Sequence, residues 1–314
     1  MNEKILIFGN GQMGNFYKEF FNKKGIAAEI AKADITRPEE IEKAITGFSP
    51  TVVINTAAVT SLETCEKEKL KAVDVNALGT LNLARACDSR EIYFIHLSSG
   101  CIFESKDKND ARVETDAPAP AAFYSWTKVW AENMVTYRQS AGFKYLILRP
   151  RQPVSARVSP KNMLIKFLTF TKYVDTPNTG TVLEDLMEWT YELIKIKPIG
   201  VVHVANEGFS TPYEIGLMLK KHVLPGLNIE KISKEQLDKM TPNRRVDTVL
   251  NVEKLKSFGI KVEPFKKRVE EIIIKLGENI RASEKGFLTK VLTETADTSK
   301  QRTTVNECWK DLLG

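Results

Sequence analysis

The first half of the chain alternates short apolar runs with longer segments in which apolar side chains recur every three or four positions. The runs are rich in Val and Ile, which is typical of strands buried on both faces of a parallel sheet. They lie at residues 4–8, 26–30, 51–55, 92–97 and 145–149. The amphipathic segments that predict helices lie at residues 12–22, 38–47, 70–89 and 124–140. This order predicts an α/β domain over residues 1–150, a doubly wound parallel sheet with right-handed crossovers.

The alternation weakens after residue 150, where most of the predicted elements are helices. They lie at residues 163–170, 183–194, 212–222 and 265–276, with a strand at residues 201–204. We expect Pro160 at the first position of the first of these helices. Residues 151–282 therefore predict a smaller α/β substrate-binding region with parts that return to the first domain. Residues 283–314 predict a polar tail of unknown role, either loosely attached or forming a short packing helix.

A glycine-rich turn joins the first predicted strand to the first predicted helix. It reads Gly9-Asn10-Gly11-Gln12-Met13-Gly14, the Gly-x-Gly-x-x-Gly spacing of dinucleotide-binding sites. Gly9 permits the tight turn, Gly11 lets the backbone approach a pyrophosphate, and Gly14 allows close packing. The helix N-terminus offers free N–H groups to the phosphates. The position of the motif predicts a Rossmann-type domain, with an ordinary glycine turn as the alternative.

The ends of the second and third strands supply further candidate contacts to a dinucleotide. No acidic side chain stands clearly at the end of the second strand, whereas Lys32 can face a ribose 2′-phosphate. This favours NADP, with NAD as the alternative cofactor, unless Lys32 is only a solvated charge. The expected cofactor contacts outside the glycines are Gln12, Met13, Lys32, Asp34, Ile35, Ala57, Ala58, Thr60, Asn76 and Lys128.

A hydroxyl, a phenol and an amine form the candidate acid/base set. Tyr124 and Lys128 are four residues apart on a predicted helix, so they lie on the same face. A neighbouring cation makes a phenol a usable proton donor and acceptor. Ser99 follows the fourth strand, at the sheet edge where ligands of open α/β sheets bind. Together the three side chains predict an acid/base site around a carbonyl oxygen, bordered by a polar loop at residues 104–122.

Composition and charge narrow the function classes. The chain has 314 residues, of which 42% are hydrophobic and 27% charged, as in soluble enzymes. No apolar run reaches membrane-spanning length and no leader segment is evident, so a cytoplasmic protein without a membrane partner is expected. The net charge of +6 suits an anionic ligand, but scattered lysines disfavour nucleic-acid binding.

The four cysteines are expected to be free thiols. They are Cys65, Cys87, Cys101 and Cys308. Their spacing lacks the paired pattern of a metal site, and they are too few for a disulfide scaffold in a chain of this length. No metal is therefore expected.

Taken together, these motifs resemble the extended short-chain dehydrogenase/reductase superfamily over about residues 1–280. The likeness is to dTDP-4-dehydrorhamnose reductases and to the bifunctional 3,5-epimerase/4-reductases of plant UDP-rhamnose synthesis. Three segments resemble the bifunctional enzymes: residues 100–104, 160–166 and 177–183. The glycine motif is closer to that of the bacterial reductases, and Arg151-Gln152-Pro153 replaces Arg-Met-Pro. The sugar nucleotide therefore stays open between a UDP and a dTDP form.

The resemblance implies NAD(P)H-dependent reduction of a nucleotide-linked 4-keto-6-deoxy sugar, coupled to 3,5-epimerisation that yields a nucleotide-rhamnose. It assigns proton donation to Tyr124, while Lys128 holds the nicotinamide ribose and lowers the pKa of the phenol. Cys101 is the implied base and Lys166 the implied acid of epimerisation. The implied substrate contacts are Ser99, Cys101, Phe103, Asn162, Lys166 and Arg245. A homodimer is the expected form of any assembly.

Two other functions remain open on the sequence. One is a reductase without epimerase activity, in which Cys101 is an inert thiol and Lys166 a solvated lysine. The other is a non-catalytic dinucleotide-binding subunit that regulates a partner. Such a subunit has no need of Ser99, Tyr124 and Lys128 together, which disfavours it.

Two related enzyme classes fit less well. A sugar-nucleotide dehydratase is disfavoured because Gly100-Cys101 stands where its Asp-Glu pair is expected. The GDP-fucose-forming enzymes combine a Ser-x-Cys motif with a His acid. Here His96, His203 and His222 lie away from the segment of the expected acid, and we expect them to be structural or exposed.

Overall fold

The computed structural model of the chain describes residues 3–137, 142–241 and 244–298. Its strands, in chain order, are β1 (Lys4–Phe8), β2 (Ala27–Ile30), β3 (Val52–Asn55), β4 (Tyr93–Leu97), β5 (Tyr145–Arg149), β6 (Pro153–Val154), β7 (Lys172–Val174), β8 (Thr181–Val182), β9 (Gly200–His203) and β10 (Glu230–Ile232). Six of these form one parallel sheet in the order β2-β1-β3-β4-β5-β9. The predicted doubly wound α/β sheet is confirmed.

The helices of the described residues follow in the same order. They are α1 (Gln12–Lys23), α2 (Pro38–Phe48), α3 (Leu62–Lys67), α4 (Lys69–Val73), α5 (Thr80–Asp88), α6 (Phe123–Tyr137), α7 (Met163–Phe167), α8 (Leu183–Ile196), α9 (Pro212–His222), α10 (Lys234–Met240), α11 (Glu253–Ser257), α12 (Phe265–Ala282) and α13 (Lys285–Thr298). Within these described ranges, no helix is long and apolar enough to cross a bilayer.

Helices cover both faces of the large sheet, because its strands carry apolar side chains on both faces. Helices α1 and α8 pack on one face, where the Tyr17 hydroxyl lies 2.9 Å from Thr190 Oγ1. Helices α2 and α5 pack on the other face, together with Val135 near the end of α6. The chain order reverses between β1 and β3, which opens a crevice at the carboxyl ends of these two strands.

The helix predicted at residues 70–89 is interrupted. Between α4 and α5, residues Asp74–Gly79 form a π-helical turn. Gly79 lies inside this turn, where an added Cβ would come within 2.6 Å of the Ile35 side chain. Propensity and periodicity do not distinguish a π turn from an α-helix, so this turn was not predicted.

The second region has its own apolar core. It is formed mainly by side chains of α7, α9, α12 and α13, with Tyr173 of β7 against Gly216 of α9. Two small parallel sheets accompany it, β6 with β8 and β7 with β10. Because β6 directly follows β5 and β8 directly precedes α8, this region is joined closely to the large sheet.

Two predictions about the second region need correction. Helix α7 begins at Met163, because the Asn162 side chain caps it by accepting a hydrogen bond from Leu164 N, so Pro160 is not its first residue. Helix α12 continues past the predicted end at residue 276 to Ala282. Part of the predicted tail forms α13, which buries Leu288, Val291 and Leu292 at helical spacing. Residues 299–314, which include Cys308, lie outside the described residues.

Candidate active site

The glycine turn is held together by direct backbone packing. Gly9 has a φ of +108°, in the region that favours glycine. A Cβ on Gly14 would lie 2.0 Å from the Gly9 carbonyl oxygen, so only glycine fits there. A Cβ on Gly11 would meet no atom within 4 Å. Gly9 and Gly14 are therefore required by the turn itself, whereas Gly11 borders open space.

Helix α1 starts at this open space without a side-chain cap. Gly11 is its N-cap residue and offers no side-chain oxygen to the first N–H groups. The Thr56 hydroxyl, at the end of β3, closes the other side of the turn by donating to Phe8 O at 2.9 Å. Free N–H groups beside an unfilled space form an anion-binding site, so these residues fit the pyrophosphate of a dinucleotide.

The other expected cofactor residues surround the crevice in two groups. Ala57, Ala58 and Thr60 follow β3, and Ala57 lies next to Gly9. Lys32 and Asp34 are exposed beyond β2, whereas the Ile35 side chain is buried against Gly79. Asp34 is engaged locally, since its Oδ1 accepts from Thr36 N and Thr36 Oγ1, and these bonds lower its pKa. Gln12 and Met13 form the start of α1 and are half-buried.

Asn76 holds the loop after β3 in place. It is fully buried in the π turn, where its Oδ1 accepts from Val59 N at 2.7 Å and its Nδ2 donates to Val59 O at 3.0 Å. The same Nδ2 lies 2.9 Å from Thr127 Oγ1 on α6. Asn76 therefore connects the cofactor crevice to the helix that carries Tyr124 and Lys128. Asn76 was expected to contact the cofactor, but in this arrangement its side chain has a structural role.

The structure brings Ser99, Tyr124 and Lys128 together at the carboxyl end of β4. The Ser99 side chain lies close enough to Tyr124 to lower the pKa of the phenol. Lys128 is 3% exposed and donates from Nζ to Leu97 O at 2.9 Å, with Nζ 6.0 Å from the centre of the Tyr124 ring. Burial lowers the pKa of Lys128 to about 8, and the Glu132 carboxylate opposes this shift. The ammonium form therefore still predominates at neutral pH.

The expected lowering of the Tyr124 pKa is wrong for this arrangement. Burial raises the pKa of the phenol above its ordinary value, and the Cys101 sulfur acts in the same direction. The neighbouring Ser99 side chain opposes both effects on the pKa. Tyr124 is therefore protonated at neutral pH and can act as a proton donor.

A buried ion pair, which was not predicted from the sequence, fixes helix α6 to the ends of β4 and β5. Glu132 lies on α6 one turn beyond Lys128, and its carboxylate accepts from Arg149 Nε at 3.0 Å and Nη2 at 2.6 Å. The Ser98 hydroxyl donates to the same carboxylate. Both charged side chains are about 5% exposed. The signal was present as the spacing of Tyr124, Lys128 and Glu132, which places all three on one helical face.

Cys101 lies in a short 3₁₀ turn after Ser99 and contacts a buried arginine. Its N–H donates to Ser99 Oγ at 3.1 Å, and Arg151 Nη1 donates to its Sγ at 2.9 Å. Cys101 is half-buried, whereas Cys65 and Cys87 are fully buried. Arg151 was noted in the sequence only as part of a variant segment, so its contact with the sulfur was not predicted.

Lys166 and Arg245 lie near each other, since the charge of Arg245 acts on the Lys166 amine. Lys166 is half-buried on α7, and burial together with the charge of Arg245 lowers its pKa. Arg245 is exposed and precedes Val246, whose carbonyl accepts from Arg151 Nη2 at 2.6 Å. Lys166 is therefore linked to Cys101 through Arg245, Val246 and Arg151.

Two expected substrate contacts have structural roles instead. The Asn162 amide donates to Ser155 O at 2.7 Å and to Arg157 O at 2.8 Å while its oxygen caps α7, so its polar atoms are already used. Phe103 is 1% exposed and packs against the His203 ring at 5.6 Å. Its side chain lines the core rather than the cleft, because the chain turns inward after Cys101.

The three histidines have different surroundings. His96 and His203 are buried, and burial lowers the pKa of His203 to about 3. His222 lies 2.8 Å from Glu270 on the surface. Among the residues that the structure describes, no cluster of three His, Cys, Asp or Glu side chains is arranged to hold a metal ion.

A parallel sheet that brings a glycine turn and a Ser–Tyr–Lys set to one edge is the arrangement of the extended short-chain dehydrogenases/reductases. The family model described as the RmlD substrate binding domain matches residues 3–277, and the chain belongs to this family. The resemblance seen in the sequence is thereby confirmed.

One similar curated protein is the trifunctional UDP-glucose 4,6-dehydratase/UDP-4-keto-6-deoxy-D-glucose 3,5-epimerase/UDP-4-keto-L-rhamnose-reductase RHM1 of Arabidopsis thaliana. It is 29% identical over 264 residues, which are 81% of this chain and 39% of that protein. The chain therefore spans about two fifths of the length of this relative.

Two solved structures are similar along most of the chain. The L780 UDP-rhamnose synthase of Acanthamoeba polyphaga mimivirus has a TM-score of 0.81 at 24% identity, covering 88% of this chain and 100% of that one. The dTDP-4-dehydrorhamnose reductase of Bacillus anthracis, in complex with NADP, has a TM-score of 0.77 at 21% identity, with coverage of 88% and 100%. At these identities the likeness establishes the fold.

The different surroundings of Gly11 and Gly14 predict different consequences of adding one methyl group. Gly14→Ala forces the Gly9 backbone to move, so the melting temperature without ligand should fall by about 5 °C or more. Gly11→Ala should leave the melting temperature unchanged but weaken NADPH binding at least about tenfold, because the methyl group occupies space beside the free N–H groups. Thermal unfolding and NADPH fluorescence titration measure the two effects. Unchanged NADPH affinity in Gly11→Ala would show that the pyrophosphate lies elsewhere.

Proposed function

We propose that this protein reduces the C4 ketone of a nucleotide-linked 4-keto-6-deoxy sugar with NAD(P)H and epimerises C3 and C5 of the same sugar, forming a nucleotide-rhamnose. The observation that carries the proposal is the placement of Ser99 and the Cys101 sulfur close enough to Tyr124 to act on its pKa, with the buried Lys128 on the same helix. The names of the similar proteins, a rhamnose synthase and a dehydrorhamnose reductase among them, support this substrate class.

The residues around the glycine turn support a nicotinamide dinucleotide as the cofactor. When bound, NAD(P)H supplies the hydride that reduces the ketone. Gly11 and the start of α1 would hold the pyrophosphate, and Lys128 would hold the nicotinamide ribose. The exposed Lys32 beyond β2 favours NADP, and the Bacillus anthracis relative was crystallised with NADP. NAD remains the alternative cofactor.

Reduction needs a proton donor at the ketone oxygen. Tyr124 is protonated at neutral pH because burial and the nearby sulfur raise its pKa. As negative charge develops on the C4 oxygen, Tyr124 donates its proton to that oxygen and Ser99 donates a hydrogen bond. The Lys128 ammonium, held by Leu97 O, then stabilises the phenolate until a proton returns from solvent.

Epimerisation needs one proton acceptor and one proton donor on opposite faces of the sugar ring. Cys101 takes the proton from C3 or C5: the C–H bond breaks, an S–H bond forms, and the electron pair passes into an enolate whose C4 oxyanion Ser99 and Tyr124 stabilise. Lys166 then donates a proton to the other face of the carbon. The lowered pKa of Lys166, caused by burial and by Arg245, favours this release. Arg245 is free to face the diphosphate of the substrate.

The remaining parts of the proposal concern partners and location. The substrate is a UDP- or dTDP-linked sugar, and neither nucleic acid nor a membrane is needed for the reaction. A homodimer and a cytoplasmic location are proposed on the sequence alone. A reductase without epimerase activity is the outcome that remains if Cys101 proves inert.

The first prediction tests reduction. Tyr124→Phe removes the phenolic proton donor next to Ser99, so kcat for NADPH oxidation with UDP- or dTDP-4-keto-6-deoxyglucose should fall by about two to four orders of magnitude. NADPH binding should change little, since Tyr124 does not belong to the glycine turn. A variant that keeps the wild-type rate would refute the catalytic role of Tyr124.

The second prediction separates epimerisation from reduction. Cys101→Ser should stop the incorporation of solvent deuterium at C3 and C5, because a serine hydroxyl is a far weaker base than a thiolate. Reduction of an already epimerised 4-keto sugar should continue, since Ser99 and Tyr124 are intact. NMR of the sugar formed in D₂O measures both. Absence of deuterium at C3 and C5 with the wild-type protein would leave the reductase alone.

A further inference from the structure

Helix α7, which carries Lys166, is too short to fix its own position. It has five residues, and Lys166 is the one polar residue among them. A helix shorter than about 12 residues is marginal in water on its own, because few backbone bonds offset the cost of ordering its first turn. The position of Lys166 therefore depends on the contacts of α7 with the rest of the chain.

The apolar side chains of α7 hold the helix against the second core. Leu164 and Ile165 are fully buried, and Phe167 is largely buried. Hydrophobic burial is non-directional, so these contacts alone do not fix where the helix begins or how it is oriented. Directional contacts must come from hydrogen bonds at its start.

Asn162 supplies these directional contacts. It is 1% exposed, and its Oδ1 accepts from Leu164 N at 3.1 Å, while its backbone oxygen accepts from Lys166 N at 3.1 Å. Its Nδ2 donates to Ser155 O at 2.7 Å and to Arg157 O at 2.8 Å. The residue therefore joins the backbone of Lys166 to the segment that follows β6.

That segment is itself fixed to two long helices. Ala156 N donates to Glu184 Oε1 at 3.1 Å, at the start of α8, and Ala156 O accepts from Asn279 Nδ2 at 2.8 Å, on α12. Both hydrogen bonds use the backbone of the residue between the two acceptors of the Asn162 amide. The amide is therefore held against a rigid part of the chain.

The same segment contacts α1, the helix that begins at the glycine turn. The Arg157 guanidinium lies 3.6 Å from the centre of the Phe16 ring, and its Nη1 donates to Glu19 Oε1 at 3.1 Å. A cation on an aromatic face and a two-bond ion pair fix this side chain in one orientation. The position of α7 is thereby related to the helix whose start would hold the pyrophosphate.

We propose that Asn162 is a positioning residue for epimerisation, whose amide holds α7 where the Lys166 amine reaches the sugar ring. This inference rests on the proposed function, because it takes Lys166 as the group that donates a proton to the ring carbon. Asn162 acts through Lys166 and not on the substrate, since its side-chain oxygen and both amide hydrogens are used within the protein.

The test compares epimerisation with reduction in Asn162→Ser. A serine can still cap α7, but its hydroxyl has one proton and cannot replace the two amide donors. Formation of the sugar inverted at C3 and C5, followed by NMR with UDP- or dTDP-4-keto-6-deoxyglucose and NADPH, should slow about tenfold or more, since a displaced acid is inefficient. NADPH oxidation with an already epimerised 4-keto sugar should stay within about twofold of the wild-type rate, because Ser99 and Tyr124 do not depend on α7.

A second measurement follows the position of α7 in the protein without substrate. Hydrogen exchange of the backbone amides of α7, measured by mass spectrometry, should become about tenfold faster in Asn162→Ser. Faster exchange with an unchanged epimerisation rate would show that Asn162 only supports the fold, which would overturn the proposal. Slower epimerisation without faster exchange would also overturn it, because Asn162 would then not act through α7.

Two further variants provide a control and a replacement. Thr211→Ala removes a cap in the same region, where Thr211 Oγ1 accepts from Glu214 N at 3.1 Å at the start of α9. It should destabilise the protein but leave the epimerisation rate unchanged. If Asn162→Ser does not fold, Arg157→Met decides, since it loosens the same segment from α1 at a partly exposed side chain. Wild-type epimerisation by Arg157→Met would then overturn the proposal.

The wild-type protein separates this inference from the proposed function. Reduction of the 4-keto sugar without inversion at C3 and C5 would refute the proposed epimerase, and the role of Asn162 with it. Inversion at the same rate in the wild type and in folded Asn162→Ser would refute the role of Asn162 alone.

Discussion

The buried Glu132 carboxylate is the contact on which the arrangement of the site depends. It joins three elements, since it sits on α6 and accepts hydrogen bonds from Ser98 after β4 and from Arg149 at the end of β5. Breaking a buried pair of this kind typically costs about 3–5 kcal/mol, because the partner charge is left alone. With α6 fixed in this way, Tyr124 is brought to the edge of the sheet next to Ser99.

Charge balance at this edge connects packing to chemistry. Lys128, Arg149 and Arg151 are all buried cations, yet Glu132 is the one carboxylate that contacts any of them among the described residues. Arg151 instead donates a hydrogen bond to the Cys101 sulfur. An excess of buried positive charge is also suited to the oxyanion and enolate that the proposed reactions form. The cations that would hold the substrate phosphates, Arg245 in particular, lie farther out and are exposed.

Local patterns in the sequence predicted the fold and those site residues whose positions depend on neighbours along the chain. Apolar runs were enough to predict the strands, and glycine spacing was enough to predict the turn at Gly9 and Gly14. Both features depend on neighbours along the chain. Tyr124 and Lys128 followed from helical geometry. Arg151 could not be predicted in this way, since it meets Cys101 from a position 50 residues distant. Asn162 was assigned to the substrate for the opposite reason, because its capping role appears only once the start of α7 is known.

The C-terminal segment shows a further limit of local patterns. Helix α13 exposes Thr289, Lys290 and Thr293, and its buried apolar residues, Leu288, Val291 and Leu292, are few. An apolar stripe this short is weak evidence for a packed helix when only the sequence is known. In the structure it completes the core that contains α7. The helix follows the end of the family match at residue 277 and supports the element that carries Lys166.

The central claim is that a thiol, a phenol and two amines surround one sugar ketone beside the nicotinamide. A crystal structure with NADP⁺ and UDP- or dTDP-rhamnose tests it most directly. We expect the sugar C4 oxygen within hydrogen-bonding distance of Tyr124 and Ser99, about 2.5–3.2 Å, with Cys101 and Lys166 on opposite faces of the ring. A sugar bound with both groups on one face, or with C4 away from Tyr124, would contradict the account.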